Sequence, residues 1–177
     1  MATGALTTKP MMKFVAARAS VHAGPWGTLA TTGSADANFY ERSVVAAIGI
    51  YALSRQETVY YTAFTDGDDR MLDARCDYTL TGRPLPARWW SLTMYGDDSY
   101  LVPNSRDVYS RHANNLEMEA DGSFRVAVSA QPQPRNWLPS PARGAFSITA
   151  RLYNPDPGVV QRPADVALPR IERGTCR

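Results

Sequence analysis

From residue 57 onward, apolar and polar side chains alternate with a period of two, and this alternation constrains the fold more than any other feature of the chain. The clearest run is 145–153, where Phe146, Ile148, Ala150 and Leu152 alternate with Ser147, Thr149, Arg151 and Tyr153. Successive side chains of a strand point to opposite faces, so this pattern is typical of a strand with one buried face.

Turn-forming pairs separate the alternating runs. Asp66-Gly67, Gly96-Asp97 and Asp121-Gly122 each interrupt an apolar pattern, as expected of hairpin connections. The predicted strands cover 58–65, 72–81, 88–95, 100–102, 116–119, 124–129 and 145–153. Short strands at this spacing predict a mainly β fold in which two antiparallel sheets pack as a β-sandwich.

One segment has helical periodicity instead. Tyr40, Val44, Ile48 and Tyr51 recur at intervals of three or four after Ser34, a residue that caps helices well. We therefore predict one N-terminal amphipathic helix over 36–54. The chain then divides into an arm at 1–33, read as irregular, and a single helix-plus-sandwich domain at 34–177.

The arm differs in composition from the rest of the chain. It contains both lysines, Lys9 and Lys13, and an apolar group formed by Met11, Met12, Phe14 and Val15. No apolar run reaches the roughly 18 residues that span a bilayer, and the arm lacks the apolar stretch of a signal peptide. We expect the arm to lie near a membrane and to contact a membrane protein partner.

The charge of the chain gives no indication of a nucleic-acid partner. Among its 177 residues the formal net charge is only +2, and the arginines form no dense run. A metal site is not expected either, because zinc sites need close Cys or His pairs and here Cys76, Cys176, His22 and His112 are solitary. No cofactor motif is present.

Cys76 and Cys176 leave two alternatives, a disulfide or two free thiols. Cys176 lies in the polar sequence Gly174-Thr175-Cys176-Arg177, a poor setting for a buried thiol. A bridge that ties the C-terminal tail to a strand explains this setting, so we predict a Cys76–Cys176 disulfide. Such a bridge implies the periplasm or another extracytoplasmic compartment.

No catalytic arrangement stands out. A Ser–His–Asp triad needs a histidine beside a nucleophile, and neither His22 nor His112 has a neighbouring signature such as a nucleophile elbow. Whether the protein is an enzyme stays open, with a non-enzymatic role expected.

Three strings of residues resemble a known family. Trp89-Trp90-Ser91-Leu92-Thr93-Met94-Tyr95, Asn136-Trp137-Leu138-Pro139-Ser140-Pro141 and Arg151-Leu152-Tyr153-Asn154-Pro155 are similar, in this order, to segments of the bacterial domain-of-unknown-function 1214 family. The similarity runs from about residue 58 to 169. The resemblance implies a jelly-roll-like antiparallel β-sandwich. It also implies a membrane anchor before the domain, as short members of the family carry, but it supplies no mechanism.

The same strings supply the candidate ligand-binding residues, which are Asn136, Trp137, Arg151, Tyr153, Trp89 and Tyr95. If they converge, a planar cation, an amide and flat rings would suit a carboxylate, a sugar or an aromatic ligand. The alternative is architectural, with Asn136 bonded to backbone and Arg151 paired with an acid.

Two functions follow as expectations. The first is a non-enzymatic extracytoplasmic accessory or interaction domain, associated with a membrane or a membrane protein assembly. The second is an enzyme or a small-ligand-binding domain that uses the pocket of asparagine, arginine and aromatic residues.

Overall fold

A computed structural model describes residues 20–29, 33, 37, 39, 42–43 and 53–177. Most of the predicted helix 36–54 and residues 1–19 of the arm lie outside these ranges. The described residues form a mainly β structure that also contains a short helix, α1 (Pro157–Gln161), and a 3-10 helix at Pro163–Asp165. Its strands are β1 (Ser20–Ala23), β2 (Trp26–Leu29), β3 (Thr58–Ala63), β4 (Cys76–Gly82), β5 (Ala87–Gly96), β6 (Ser110–His112), β7 (Phe124–Ser129), β8 (Trp137–Pro139), β9 (Phe146–Pro155) and β10 (Arg170–Cys176).

The strands form two sheets. The larger has six strands in the order β1-β2-β3-β9-β5-β6, and the smaller has four in the order β10-β4-β7-β8. Every pair is antiparallel except β7 and β8, which run parallel with Ala127 opposite Trp137. The prediction of antiparallel pairing throughout is therefore wrong at this pair. The connection 130–136, which contains Pro132 and Pro134, returns the chain to the level of Ala127 before β8 begins.

The apolar side chains of the alternating strands fill the space between the two sheets. Trp90, Leu92 and Met94 of β5 belong to one buried cluster with Leu80 of β4 and Val126 of β7. Trp90 stacks on Phe124 with 5.2 Å between ring centroids. Burying a large apolar side chain stabilises a fold by about 1.5–3 kcal/mol, so this layer is the main source of stability.

Hydrogen bonds from side chains to backbone link the two sheets at both open sides of the sandwich. On one side the indole Nε1 of Trp26 donates to the carbonyl of Pro169, just before β10, at 2.8 Å. On the other, the Nε of Arg111 donates to the carbonyl of Trp137 at 2.8 Å. The first bond links β2 to the segment just before β10, and the second links β6 to β8.

The structure adds strands where the sequence indicated none. Gly24, with φ 60°, and Pro25 form the turn of a hairpin between β1 and β2 within the segment read as an irregular arm. In the tail, the prolines end at Pro169, and the next seven residues pair with β4 as β10. The predicted strands 100–102 and 116–119 are reduced to single bridges, Tyr95 to Leu101 and Met118 to Phe124.

Both edges of the four-stranded sheet are irregular. At one edge, β8 has three residues and ends in Pro139, which has no N–H to donate. At the other, the register of β10 against β4 shifts between Arg173 and Cys176. Such features interrupt the continuous ladder that a further strand would need.

Candidate functional site

The outer face of the six-stranded sheet, which points away from the four-stranded sheet, brings four predicted site residues together. Trp89 lies opposite Tyr153, and Ser91 lies opposite Arg151. Tyr95 lies further along β5, on the same face as Trp89. Because opposed residues of antiparallel strands share a face, the register alone assembles these side chains.

Arg151 lies at the centre of an arginine–tyrosine cluster, which we define as Arg151, Tyr60 and Tyr95. Its guanidinium carbon lies 5.1 Å from the ring centroid of Tyr95 and 5.9 Å from that of Tyr60. Its Nη2 donates a hydrogen bond to the Tyr95 hydroxyl. Among the described residues, no carboxylate lies within ion-pair distance of this cation, although nine other contacts between basic and acidic groups are present there.

Beside the cluster, Trp89 forms an aromatic group with its cross-strand neighbours. Its ring centroid lies 5.4 Å from that of Tyr153 and 5.3 Å from that of His112. The indole Nε1 donates to the amide oxygen of Asn114 at 2.8 Å, which fixes the ring orientation. All three rings are half-buried.

A row of hydroxyl-bearing residues adjoins the cluster on the same face. Thr62, Thr149 and Thr93 lie side by side on β3, β9 and β5, and the Thr62 and Thr149 hydroxyls are 3.0 Å apart. Thr149, Thr93 and Ser91 are buried, although they point away from the sandwich interior. The centre of this face is therefore closed to solvent, whereas Arg151 and its neighbouring rings are half-buried.

The electrostatics of the cluster favour a neutral Tyr60 phenol beside a cation. Burial raises the pKa of Tyr60, with a further increase from the neighbouring Tyr153 hydroxyl and an opposing effect of Arg151. A phenol that stays protonated can donate as well as accept hydrogen bonds. The arrangement of one cation, phenol hydroxyls and flat rings suits an anionic ligand with an apolar body.

Asn136 and Trp137 lie elsewhere, at the edge of the four-stranded sheet. The Asn136 side chain accepts a bond from the backbone N–H of Glu117 at 2.9 Å and donates to its carbonyl at 2.7 Å. The Trp137 indole donates to the carbonyl of Ser129 at 2.8 Å. Both side chains hold backbone in place, as the architectural alternative expects of Asn136.

Tyr60 and His112 also lie at the site, although neither was among the ligand-binding residues predicted from the sequence. Tyr60 has the opposite parity to Val59 and Tyr61 in an alternating run, so its outward direction could have been read. His112 ends β6 opposite Ser91. Three residues are too short a strand for periodicity to indicate.

The cysteine pair forms the predicted disulfide between β4 and β10. Beside it, the Nε of Arg173 contacts the Asp66 carboxylate at 2.7 Å, and the two side chains are 17% and 1% exposed. We call Asp66, Arg173 and the disulfide the C-terminal clasp. Bridges of this kind persist in oxidising compartments, so the clasp indicates an extracytoplasmic environment.

The described part of the chain contains neither a candidate metal site nor a membrane-spanning helix. Within the described ranges, no three His, Cys, Asp or Glu side chains are grouped as a metal site. In the same part of the chain, no helix has the length and apolarity to cross a membrane.

Fold and site thus define a two-sheet, mainly β domain with a disulfide-tied C-terminal strand and an arginine–aromatic face. The chain belongs to the family described as "Protein of unknown function (DUF1214)", which matches residues 57–157. No curated protein matches the chain.

Two solved structures are similar to the chain. The VPA0106 protein from Vibrio parahaemolyticus has a TM-score of 0.70 at 22% sequence identity, covering 97% of this chain and 44% of that one. An uncharacterized protein from Burkholderia cenocepacia has a TM-score of 0.48 at 16% identity, covering 100% of this chain and 53% of that one. The chain therefore spans about half the length of these proteins, and the first supports the fold alone.

Proposed function

We propose that this domain works outside the cytoplasm as a binding domain that takes a small carboxylate ligand at Arg151. The observation that carries the proposal is the half-buried guanidinium of Arg151, which has aromatic rings and a phenol around it but no acidic partner among the described residues. Buried charges are normally paired, so an unpaired one is a candidate for a ligand.

The chemistry of the guanidinium sets the ligand class. It has five N–H donors in a planar fork that matches the two oxygens of a carboxylate. The bond to Tyr95 leaves donors for a ligand. Trp89 and Tyr153 supply flat apolar surface beside the cation, which favours a carboxylate attached to a ring.

The test is titration calorimetry with sodium benzoate and sodium glucuronate, with neutral benzamide as the uncharged comparison. We expect Arg151→Met to weaken carboxylate binding by about ten- to a hundredfold, because a charge-assisted hydrogen bond contributes about 1.5–3 kcal/mol. Arg151→Lys keeps the charge but loses the fork, and we expect it to restore only part of the affinity.

Arg125 provides a matched control, because it is an exposed arginine on β7 of the other sheet. Arg125→Met should bind like the unaltered chain. Equal binding of benzoate and benzamide, or unchanged affinity in Arg151→Met, would contradict the proposal.

The finer expectations from the sequence also stand as proposals. We propose a jelly-roll-like strand order, which the two packed sheets support. We also propose an N-terminal amphipathic helix over 36–54. We propose as well that the protein is periplasmic, that the arm associates with a membrane, and that the protein has an accessory role. Removal of residues 1–19 followed by flotation with lipid vesicles would test the membrane association.

A further inference from the structure

We propose that the Cys76–Cys176 disulfide is a thiol-exchange site, at which a small-molecule thiol forms a mixed disulfide with Cys176 and Cys76 leaves as the thiolate. The proposal concerns the C-terminal clasp and is independent of ligand binding at Arg151.

The two cysteines differ in their access to solvent. Cys76 is 5% exposed and belongs to the core cluster, whereas Cys176 is an exposed residue near the end of β10. Exchange begins when a thiolate attacks one sulfur of the bridge, and access decides which sulfur is attacked. A thiol from solvent therefore meets Cys176 first.

The leaving sulfur has a cation beside it. The Nη1 of Arg173 lies 3.9 Å from the Sγ of Cys76, a sulfur hydrogen-bond distance. A neighbouring guanidinium favours the thiolate, and a leaving group with a lower pKa departs faster. The Asp66 carboxylate weakens this stabilisation of the thiolate, because it accepts a hydrogen bond from the Nε of the same arginine. The Nη1 group remains directed at the sulfur.

The strand need not detach for the bridge to open. Ile171 and Arg173 pair with Leu80 and Tyr78 of β4, and the N–H of Gly67 donates to the carbonyl of Ile171 at 2.9 Å. Arg173 also donates through its Nη2 to the carbonyl of Met71 at 2.6 Å. These contacts do not involve the Cys176 sulfur, so both sulfurs stay positioned for the bridge to reform.

The exchange needs no reactant other than the thiol and the disulfide. The electron pair of the attacking thiolate forms a bond to the Sγ of Cys176, the bond between the two cysteine sulfurs breaks, and its electron pair goes to the Sγ of Cys76. The attacking sulfur is oxidised and the Cys76 sulfur is reduced. Attack of Cys76 on the Cys176 sulfur reverses the step and releases the small thiol.

The test uses the full chain, reduced glutathione as the thiol, acid quenching and tryptic peptide mass mapping. Cleavage at arginine separates Cys176 in peptide 174–177 from Cys76 in peptide 76–88, so the position of the adduct is read directly. We expect the glutathione adduct on Cys176, with a rate proportional to thiol concentration. An adduct mainly on Cys76, or a rate independent of thiol concentration, would overturn the proposal.

Variants separate the role of Arg173 from general electrostatics. At concentrations where the rate is proportional to thiol, Arg173→Gln should slow exchange at Cys176 about fivefold through the poorer leaving group, and Arg173→Lys less. Arg177→Gln is the control, because Arg177 adjoins Cys176 in sequence but its guanidinium contacts Asp77 at 3.1 Å. An unchanged or faster rate in Arg173→Gln, or equal slowing in Arg177→Gln, would overturn the assignment of Arg173.

Discussion

Arg173 and Arg151 are partly buried arginines on strands of the same sandwich, but their surroundings differ. Arg173 contacts the buried Asp66 carboxylate at 2.7 Å and lies over the ring of Tyr78. Arg151 lies over the rings of Tyr60 and Tyr95 and has no acidic partner among the described residues. The first charge is neutralised within the fold, whereas the second is the one that we propose to bind a ligand. The comparison separates an arginine that stabilises the fold from one that is a candidate for function.

The largest effect is expected at the clasp. Arg173→Met leaves the buried Asp66 carboxylate with only the more exposed Arg70, whose Nε lies 3.1 Å away, and breaking a buried pair from one side costs about 3 kcal/mol. Urea unfolding followed by tryptophan fluorescence should show this loss of stability at pH 7. Asp66→Asn should recover part of it when combined with Arg173→Met, because the buried charge that Arg70 alone compensates is then removed. A cost below about 1 kcal/mol would contradict the structural role of Arg173.

The same pair predicts a pH dependence. Burial of Asp66 opposes its ionisation, but hydrogen bonds from the backbone N–H groups of Arg70 and Asp68 and from Arg173 outweigh it and lower the pKa of Asp66. The unfolded chain therefore takes up the proton first. The stabilisation is present above about pH 4 and is lost as the pH falls further towards the folded pKa.

Exposed carboxylates titrate in the same range, so the measurement needs a comparison. The free energy of unfolding, measured between pH 6 and pH 2.5, should fall less steeply in Asp66→Asn than in the unaltered chain. Parallel curves would show that Asp66 is not responsible for the slope.

A smaller effect is expected at Asn136. Asn136→Ala removes two hydrogen bonds to the backbone of Glu117 and places alanine at a φ of 45°, for a combined cost of about 2 kcal/mol. Asn136→Gly loses the same bonds but accepts the positive φ, so thermal unfolding should show it about 1 kcal/mol more stable than Asn136→Ala. If the two variants unfold together, the backbone conformation has no part in the effect.

The smallest change in stability is expected at Arg151. Arg151→Met removes the hydrogen bond to Tyr95 and the cation–π contacts with the half-buried rings of Tyr60 and Tyr95. We expect the free energy of unfolding to fall by about 0.5–1 kcal/mol. The same urea experiment as for Arg173→Met measures it. A loss as large as that of Arg173→Met would show that both arginines are structural, and the comparison would fail.

The sequence predicted the centre of the fold better than its borders. The strands β5 and β9 are long and alternate strictly, so their existence and their inward faces were readable from parity alone. The short strands β1, β6, β8 and β10 gave too few repeats, and the partner of β10, β4, lies far along the chain. The disulfide was predicted from the polar setting of Cys176 rather than from any strand pattern.

The candidate site was readable only in part, for a similar reason. Trp89, Tyr95, Arg151 and Tyr153 share a face because their strands pair, and parity indicated that face. Asn136 was grouped with them because it belongs to a neighbouring motif, yet its crossover lies at the edge of the other sheet. Motif membership does not specify which sheet a segment joins, whereas strand parity does specify which face a residue lies on.

The irregular edges of the four-stranded sheet have a consequence for self-association. Chains with long, regular edge strands can join edge to edge and aggregate. Here Pro139 terminates one edge, and the register shift before Cys176 distorts the other, where Arg170 and Glu172 are exposed. A second copy finds no continuous row of N–H and C=O groups on either side, so concentrating the protein should not extend this sheet from one molecule to the next.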